Sequence, residues 1–552
     1  MREAVVERHA PLIEAALEAI RTRRAWSPFR DSPSTKIHGA EKPAAGKAAF
    51  EAQLGRPFEL DLPGVVGRAG AEVSPYTLEP LGVTYPVCAP DALIAAAGAA
   101  MPAWAAAAPE LRAALCAEMA VRLYEVNFEM AQAIMHVAGQ SYTQAFSGSG
   151  PNALDRGIEA LAYAVKAMRD VAVSGRYERE FGGERVVLDK TYALVPRGVS
   201  LVICCASFPT WNAYPAMFAS LATGNPVIVK PHPVAVLPMA IVVRECRRVL
   251  ADHGFDPDLV TLAVDTLEDP VAQVLVDHPA VQIVDFTGSP RYGGHLERTV
   301  TGKLLFTETA GVNTVVVDSV DDLTAVARAV ARAACLFSAQ MCTSPQVIYV
   351  RPDLAAGFGR ALVEQIDAIT DDPAQAAGIM GAIQGMVSLK AVSAVRGALD
   401  QHPLARVLRE AAPYAHPHFP KARTLTPLVV AVDGPAPDLY AEEHFGPVLF
   451  VVAMDGDEAV AEATRLAREQ GSISSYLYST DETFIDRSIP HYEQAGANLT
   501  INLTGAMWIN FAAAYSDYHV TGLNPAGNAC LADLAFVASR FRIVQRRRPA
   551  AA

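Results

Sequence analysis

The sequence predicts an α/β fold in which mainly parallel sheets are covered by helices. Short apolar strands alternate with helices through the middle of the chain, from VSLVICC at 199–205 to VQIVDFTG at 281–288. A second set of apolar strands follows residue 308. The chain has 552 residues, of which 51% are hydrophobic and 19% charged, so it can form a large packed core. Such alternation is typical of βαβ units in a doubly wound, Rossmann-type sheet.

The region before these strands is predicted to be mostly helical. The N-terminus, MREAVVERHAPLIEAALEAIRTRR, is patterned like an amphipathic helix and lacks the apolar core of a signal peptide. Residues 26–82 are rich in Pro, Gly and Lys and contain one short predicted helix near 44–53. Helical patterning then runs from about 90 to 170. We therefore predict an N-terminal extension over 1–82 that packs on the core.

The remaining chain divides into two α/β regions and a tail. Residues 83–308 form the predicted nucleotide-binding domain, which includes a hairpin at 177–197. Its further strands are expected at 226–230 and 259–265, and its helices at 211–223, 235–254 and 271–279. Residues 309–508 form a second domain, with a helix at 321–340 and strands at 313–318, 346–352, 428–433, 448–455 and 473–479. The tail, 509–552, is irregular and ends in a strand-like segment at 541–548.

Charge and cysteine usage exclude several classes of function. The net charge is −13, which argues against nucleic acid or an anionic membrane as the main partner. The eight cysteines form no C-x-x-C pair, so neither a disulfide framework nor a metal site is expected. The sequence contains no run of eighteen apolar residues without a charge, so no membrane span is expected. Reduced thiols in a cytoplasmic protein are the simplest interpretation.

The predicted nucleotide-binding domain lacks the usual phosphate loop, G-x-G-x-x-G. Gly288 and Ser289 follow a strand and precede a helix, where backbone N–H groups can bind a phosphate. An ordinary strand-to-helix turn would have the same sequence. Lys230 is the last residue of an apolar strand, and ligands bind at the carboxyl ends of parallel strands. The alternative is a surface lysine whose apolar stem is buried.

Six short blocks occur in an order that resembles the aldehyde dehydrogenase superfamily. They are FPTWNAYP (208–215), ATGNPVIVKPHP (222–233), FTGSPRYG (286–293), ETAG (308–311), AQMC (339–342) and EEHFGPV (442–448). The superfamily shows P-W-N-F-P, G-N-x-V-x-K-P, F-T-G-S, E-L-G-G, G-Q-x-C and E-x-F-G-P-V in the same order. The resemblance covers roughly residues 90–510. It implies a cofactor domain, a catalytic domain and a flap, formed by the 177–197 hairpin and a C-terminal strand, that joins subunits into a dimer or tetramer.

The resemblance assigns the chemistry to three residues. Cys342 is the expected nucleophile, because a thiolate attacks a carbonyl readily. Asn212 is expected to stabilise the resulting oxyanion, although an asparagine at this position could instead cap a helix. Glu308 is the expected base that activates the deacylating water. By contrast, Cys335 lies on an apolar helix face, and Cys204 and Cys205 are expected to pack, with Cys205 near Cys342.

The resemblance also implies a nicotinamide cofactor, NAD or NADP, and a set of residues to bind it. The predicted cofactor-binding residues are Trp211, Lys230, His232, Pro233, Gly288, Ser289, Glu443 and Phe445. Many NAD-preferring members carry a glutamate three residues after the lysine, where this chain has Pro233 beside His232. A carboxylate at that position would repel a 2′-phosphate. Because this chain has none there, the sequence favours NADP. The family's glycine-rich block is replaced near the tail, where His519 could reach an acidic substrate or simply pack.

A narrower resemblance extends over nearly the whole chain. The lead-in WSPFRDSPS, the block EVSPYTLEPLGVTYP and the segment SFPTWNAYPAMFASLATGNPVIVKPHP are similar to stand-alone phenylacetic acid degradation proteins of the PaaN type. This resemblance implies oxidation of a ring-opened semialdehyde that carries a CoA thioester. Two alternatives remain open: an aldehyde dehydrogenase that transfers the acyl group to CoA, and a catalytically silent nucleotide-binding subunit of a catabolic complex.

Overall fold

The computed structural model describes residues 2–309, 311–507, 513–517 and 533–550. The helices within these ranges are α1 (Arg2–Thr22), α2 (Thr35–His38), α3 (Glu41–Glu51), α4 (Pro90–Ala106), α5 (Pro109–Glu125), α6 (Asn127–Ala138), α7 (Tyr142–Ser147), α8 (Pro151–Arg169), α9 (Ala213–Ala222), α10 (Leu237–Asp252), α11 (Ala272–Asp277), α12 (Pro290–Thr299), α13 (Leu323–Cys335), α14 (Pro352–Thr370), α15 (Pro373–Met380), α16 (Met386–Leu399), α17 (Pro437–Tyr440), α18 (Gly456–Gln470), α19 (Glu482–Ala495) and α20 (Leu534–Ala538). No helix in these ranges is long and apolar enough to cross a membrane.

The strands form four sheets. They are β1 (Val65–Ala69), β2 (Tyr85–Cys88), β3 (Ser174–Phe181), β4 (Glu184–Pro196), β5 (Val199–Ile203), β6 (Val227–Lys230), β7 (Val260–Leu262), β8 (Val281–Gly288), β9 (Leu304–Thr309), β10 (Asn313–Val317), β11 (Pro345–Val350), β12 (Ala405–Arg409), β13 (Leu428–Val432), β14 (Val448–Ala453), β15 (Ser475–Tyr478), β16 (Leu499–Ile501) and β17 (Phe541–Pro549). β1 and β2 pair as a separate antiparallel ribbon.

The five-stranded sheet, which lies in the predicted nucleotide-binding domain, is parallel and has the strand order β7-β6-β5-β8-β9. The chain moves outward from β5 to β7 and then returns to the other side of β5. The strand order therefore reverses between β5 and β8, where open α/β sheets bind ligands at their carboxyl ends. This sheet confirms the predicted α/β fold.

The second domain is built on a seven-stranded sheet with the order β12-β13-β14-β11-β10-β15-β16. Only the edge strand β12 is antiparallel to its neighbour among these pairs. The central strands are valine-rich and buried on both faces, as expected of a parallel sheet covered by helices. Gly311 approaches the backbone so closely that an added Cβ would lie 2.1 Å from the Gly471 carbonyl oxygen.

The N-terminal extension is anchored by buried polar contacts. In α1, His9 lies 2.6 Å from the Glu118 carboxylate of α5, and both side chains are buried. Further along, the Glu72 carboxylate accepts hydrogen bonds from the first N–H groups of the α10 segment, those of Val236 at 2.6 Å and Leu237 at 2.8 Å. The extension thus contacts the helices of the cofactor domain through satisfied polar groups.

The hairpin and the C-terminal strand form one small sheet, with the order β17-β4-β3. The arginines at 546–548 lie in β17 and are exposed. Apolar side chains are also exposed on this sheet, including Phe181 and Ile543. We refer to β3, β4 and β17 as the flap.

The predicted helix over 321–340 was wrong at its end. The helix α13 stops at Cys335, and Phe337, Ser338 and Ala339 adopt left-handed backbone angles, with φ of 51°, 50° and 52°. Apolar periodicity continued through this stretch, but the chain turns sharply there before it enters the central strand β11. The predicted strand at 259–265 was also too long, because β7 ends at Leu262 and the last three residues continue as a loop.

Candidate active site

A cavity of about 1040 Å³ lies at the carboxyl ends of the five-stranded sheet and is closed on the other side by loops that precede β11 and β14 of the seven-stranded sheet. The predicted site residues that line it are Cys342, Glu308, Asn212, Trp211, Lys230, His232, Gly288, Ser289, Glu443 and Phe445. Pro233 is the exception, since it is buried and is not among the described residues of the lining. His519 lies outside the described residues.

The thiol of Cys342 points toward the carboxylate of Glu308. The Sγ atom lies 3.9 Å from Oε1 of Glu308, which is almost completely buried near the end of β9. Burial raises the pKa of the Cys342 thiol well above its ordinary value, and the nearby Glu308 carboxylate adds to the effect. The thiol is therefore protonated near neutral pH, with a carboxylate within reach of its proton.

The left-handed turn at 337–339 brings Cys342 to the cavity. Three successive non-glycine residues with positive φ are costly, so surrounding contacts must hold the turn. The side-chain amide of the following Gln340 donates to the carbonyls of Phe337 and Ala382, both at 3.1 Å, and its oxygen accepts from the N–H of Gln384 at 2.9 Å. This buried amide ties the turn to the segment after α15.

Asn313 holds the other side of the loop that carries Cys342, and the sequence analysis missed it. Its amide nitrogen donates to the carbonyls of Cys342 at 2.8 Å and Ser344 at 3.0 Å. Its amide oxygen accepts the N–H groups of Ile473 and Ser474, both at 3.0 Å. The backbone of Cys342 is thus connected to the loop before β15 through one buried side chain.

Asn212 does not cap the helix that follows it. It precedes α9 with a helical backbone, and its side chain makes no capping hydrogen bond. Its Oδ1 atom is buried without a hydrogen-bond partner among the described residues. Because the side chain also lines the cavity, its amide is available to a ligand beside Cys342.

Lys230 forms a buried ion pair that the sequence analysis also missed. Its Nζ atom lies 2.5 Å from Oδ1 of Asp265 and 2.9 Å from the carbonyl oxygen of Pro231. Asp265 follows β7, the strand next to β6, so the two side chains meet at adjacent strand ends. The signal available in the sequence was the position of Asp265 as the last residue of the predicted strand at 259–265.

The phosphate-binding candidates line the same cavity as Lys230 and Cys342. Ser289 caps α12 by accepting from the N–H of Tyr292 at 3.4 Å, and Gly288 is the last residue of β8. Both line the cavity at the start of a ten-residue helix, where backbone N–H groups attract anions. The structure thus shows the strand-to-helix turn, and the phosphate site stays a prediction.

Glu443 and Phe445 reach the cavity from the loop between α17 and β14. Gln346 of β11 holds this loop: its amide donates to the carbonyl of Glu442 at 2.7 Å, and its oxygen accepts from the N–H of His444 at 2.7 Å. Burial raises the pKa of Glu443 to about 8. Glu443 therefore enters the site largely protonated at neutral pH, able to donate a hydrogen bond.

The other cysteines separate as the sequence suggested. Cys335 is fully buried on α13, and Cys204 is buried after β5. Cys205 lines the same cavity as Cys342, and its thiol contributes to the raised pKa of the Cys342 thiol. No group of three or more His, Cys, Asp or Glu side chains that could hold a metal occurs among the residues that the structure describes.

The chain is similar to proteins of one known family. The family model described as "Aldehyde dehydrogenase family" matches residues 71–511. The crystal structure of an NAD-dependent aldehyde dehydrogenase from Burkholderia multivorans matches 100% of this chain and 99% of that chain, with a TM-score of 0.95 and 41% identity.

Two curated relatives are more distant in sequence. Vanillin dehydrogenase of Pseudomonas fluorescens is 26% identical over 449 residues, which cover 79% of this chain and 84% of that protein. The 3,6-anhydro-alpha-L-galactose dehydrogenase of Streptomyces coelicolor is 27% identical over 325 residues, or 57% of this chain and 63% of that protein. The match thus spans less than two thirds of the latter relative.

Proposed function

This chain belongs to the aldehyde dehydrogenase family, and on that premise we propose that it oxidises an aldehyde to a carboxylate through a thioester on Cys342. The observation that carries the proposal is the 3.9 Å contact between the Cys342 thiol and Glu308, in a cavity that also contains Asn212. The proposed nucleophile, base and oxyanion donor thus line one cavity.

The residues account for each proton and each bond to carbon. Glu308 accepts the thiol proton as the Cys342 sulfur attacks the aldehyde carbon, and the carbonyl oxygen becomes an oxyanion. The amide of Asn212 donates to that oxygen. Loss of hydride from the thiohemiacetal leaves a thioester on Cys342. Glu308, after releasing the first proton, activates a water that cleaves the thioester to carboxylate and thiol.

The described residues fit a nicotinamide dinucleotide, which supplies the hydride acceptor when it is bound. Lys230 has one ammonium proton left after its two hydrogen bonds, and it lines the cavity. Ser289 and the N-terminus of α12 would hold phosphate oxygens, and Glu443 and Phe445 would border the nicotinamide end. Pro233 favours NADP by the sequence argument, whereas Asp265 favours NAD through direct contact with Lys230.

The decisive experiment removes the proposed nucleophile. Purified protein is assayed for NADH and NADPH formation with a panel of aldehydes, free and CoA-linked. Cys342→Ala is expected to abolish turnover with every substrate, whereas Cys335→Ala, which alters a buried thiol on α13, is expected to retain it. Unchanged turnover in Cys342→Ala would refute the proposal, and inactivity of the intact protein with all aldehydes would favour the silent-subunit alternative.

Product analysis separates hydrolysis from transfer to CoA. Because Glu308 is buried beside Cys342, Glu308→Gln is expected to slow thioester hydrolysis by about 100-fold or more and to leave acyl-enzyme that mass spectrometry detects on Cys342. Free acid should be the product of the wild-type enzyme even when CoA is added. A CoA thioester newly formed at the aldehyde carbon would support the acyl-transferring alternative.

We further propose that the substrate is a ring-opened semialdehyde CoA thioester of aerobic phenylacetate degradation. The support is the narrower sequence resemblance, which includes the N-terminal extension. A CoA-linked semialdehyde should then show a higher kcat/KM than free aldehydes of equal length. Equal values for the two would refute this assignment.

We also propose that the flap joins subunits into a dimer or tetramer. Its edge strands β3 and β17, whose outer sides pair with no further strand among the described residues, and its exposed apolar residues support an interface. Light scattering should give a mass of two or four chains, and Ile543→Lys, on an exposed position of β17, should shift it downward. A monomeric mass for the intact protein would refute the proposal.

A further inference from the structure

We propose that Asp265 sets the cofactor preference of this site toward NAD by neutralising Lys230. The inference rests on the proposed function, because it concerns the adenosine end of the cofactor site. It assigns a specificity role to a residue outside the six family-like sequence blocks.

The ion pair is fixed from both sides. Oδ1 of Asp265 lies 2.5 Å from Nζ of Lys230, and Oδ2 accepts the N–H of Val271 at 3.0 Å. The exposed fractions of the two side chains are 6% for Lys230 and 1% for Asp265, so solvent screens the pair weakly. Both carboxylate oxygens are engaged, which holds Asp265 in place against the lysine.

The geometry leaves Lys230 suited to a hydroxyl rather than a phosphate. An ammonium group has three donors, and the contacts to Asp265 and Pro231 use two of them. One donor is sufficient for a ribose hydroxyl. A 2′-phosphate carries about two negative charges and requires positive charge that is not already balanced, and here it would approach a carboxylate next to the lysine.

The rest of the lining does not replace this charge. Lys230 is the only lysine or arginine among the described residues that line the cavity. The neighbouring His232 has its pKa lowered by burial and by Lys230, so it is neutral near pH 7. The sequence of the undescribed segments 508–512 and 518–532 contains neither lysine nor arginine. Charge compensation for a 2′-phosphate must therefore come from Lys230 or from outside the cavity.

Calorimetric titration with NAD and with NADP, without aldehyde, tests the proposal through binding alone. The wild-type protein is expected to bind NAD at least about tenfold more tightly than NADP. Asp265→Asn keeps the size of the side chain and frees the lysine charge, so it should improve NADP binding relative to NAD by about tenfold. Asp258→Asn is the matched control, since Asp258 pairs with Arg247 at 2.9 Å and lies at the other end of β7.

The outcomes separate this inference from the proposed function. If the wild-type protein binds neither nucleotide, the proposed function fails. If it binds both but prefers NADP, the inference is overturned, and Arg291, exposed at the start of α12, becomes the phosphate-binding candidate. An unchanged preference in folded Asp265→Asn also overturns it. Asp265→Ser serves as a second variant if the asparagine protein does not fold, and the wild-type preference decides independently of both.

Discussion

Replacing Asn313 removes the side chain that connects the Cys342 loop to the loop before β15. Asn313→Ala loses four hydrogen bonds to backbone groups, at 2.8–3.0 Å. At about 1 kcal/mol net for each bond, the free energy of unfolding should fall by about 4 kcal/mol. Asn313→Asp keeps an acceptor for the two N–H groups but loses both donors, so about 2 kcal/mol should be lost.

The aspartate variant should affect turnover more than stability. In Asn313→Asp a carboxylate oxygen replaces the amide nitrogen that contacts the carbonyl oxygens of Cys342 and Ser344. Repulsion between these oxygens should displace the loop that carries Cys342. A displacement of about 1 Å at a reacting group can cost about 100-fold in rate. We therefore expect Asn313→Asp to lower kcat by 10- to 100-fold, roughly, while KM for the nicotinamide cofactor changes little.

Steady-state kinetics and chemical denaturation measure these two effects separately. Asn225→Asp is the matched control, because Asn225 is also buried and its amide donates to the carbonyl of Arg540 at 3.0 Å and to Oγ1 of Thr223 at 2.9 Å. The control should lose comparable stability and keep its kcat. Equal kcat losses in both variants, or an unchanged kcat in Asn313→Asp, would refute the argument for positioning.

Three other changes test the site and its support. Ala339→Gly should stabilise the protein by about 1 kcal/mol in denaturation, because φ is 52° there, whereas Ala333→Gly inside α13 should destabilise it by a similar amount. Alkylation of Cys342 by iodoacetamide should still accelerate with pH at about pH 9, because burial raises the pKa of this thiol; a plateau by about pH 8 would contradict that environment. Burial raises the pKa of Glu72 from 4.5 to about 7, so the folded state retains a proton that the unfolded chain loses. The proton stabilises the folded state fully below pH 4.5, and the free energy of unfolding falls by up to about 3 kcal/mol as the pH rises to about 7. Glu72→Gln should remove this pH-dependent fall. Glu79→Gln, which changes an exposed glutamate, should leave it in place.

Local residue patterns were sufficient for the predictions that depend on neighbours in the chain. Apolar runs between turns located the strands of both parallel sheets, because strands buried on both faces are apolar throughout. The motif blocks singled out Cys342, Glu308 and Asn212 by their side-chain chemistry, and the structure places all three in the lining of one cavity. The end of α13 could not be located in the same way, because the left-handed turn at 337–339 is stabilised by the distant Gln384 and Ala382.

The sequence by itself determined the fold class, the family and the residues that can perform the chemistry. The tertiary structure alone decided which side chains meet those residues. Asp265 reaches Lys230 because β6 and β7 are neighbours in the sheet, and Asn313 reaches Ser474 across 161 positions because β10 lies beside β15. Strand order is set by the packing of the whole domain. The type of a residue at the end of a strand therefore shows which interactions its side chain can make, but not which side chain it contacts.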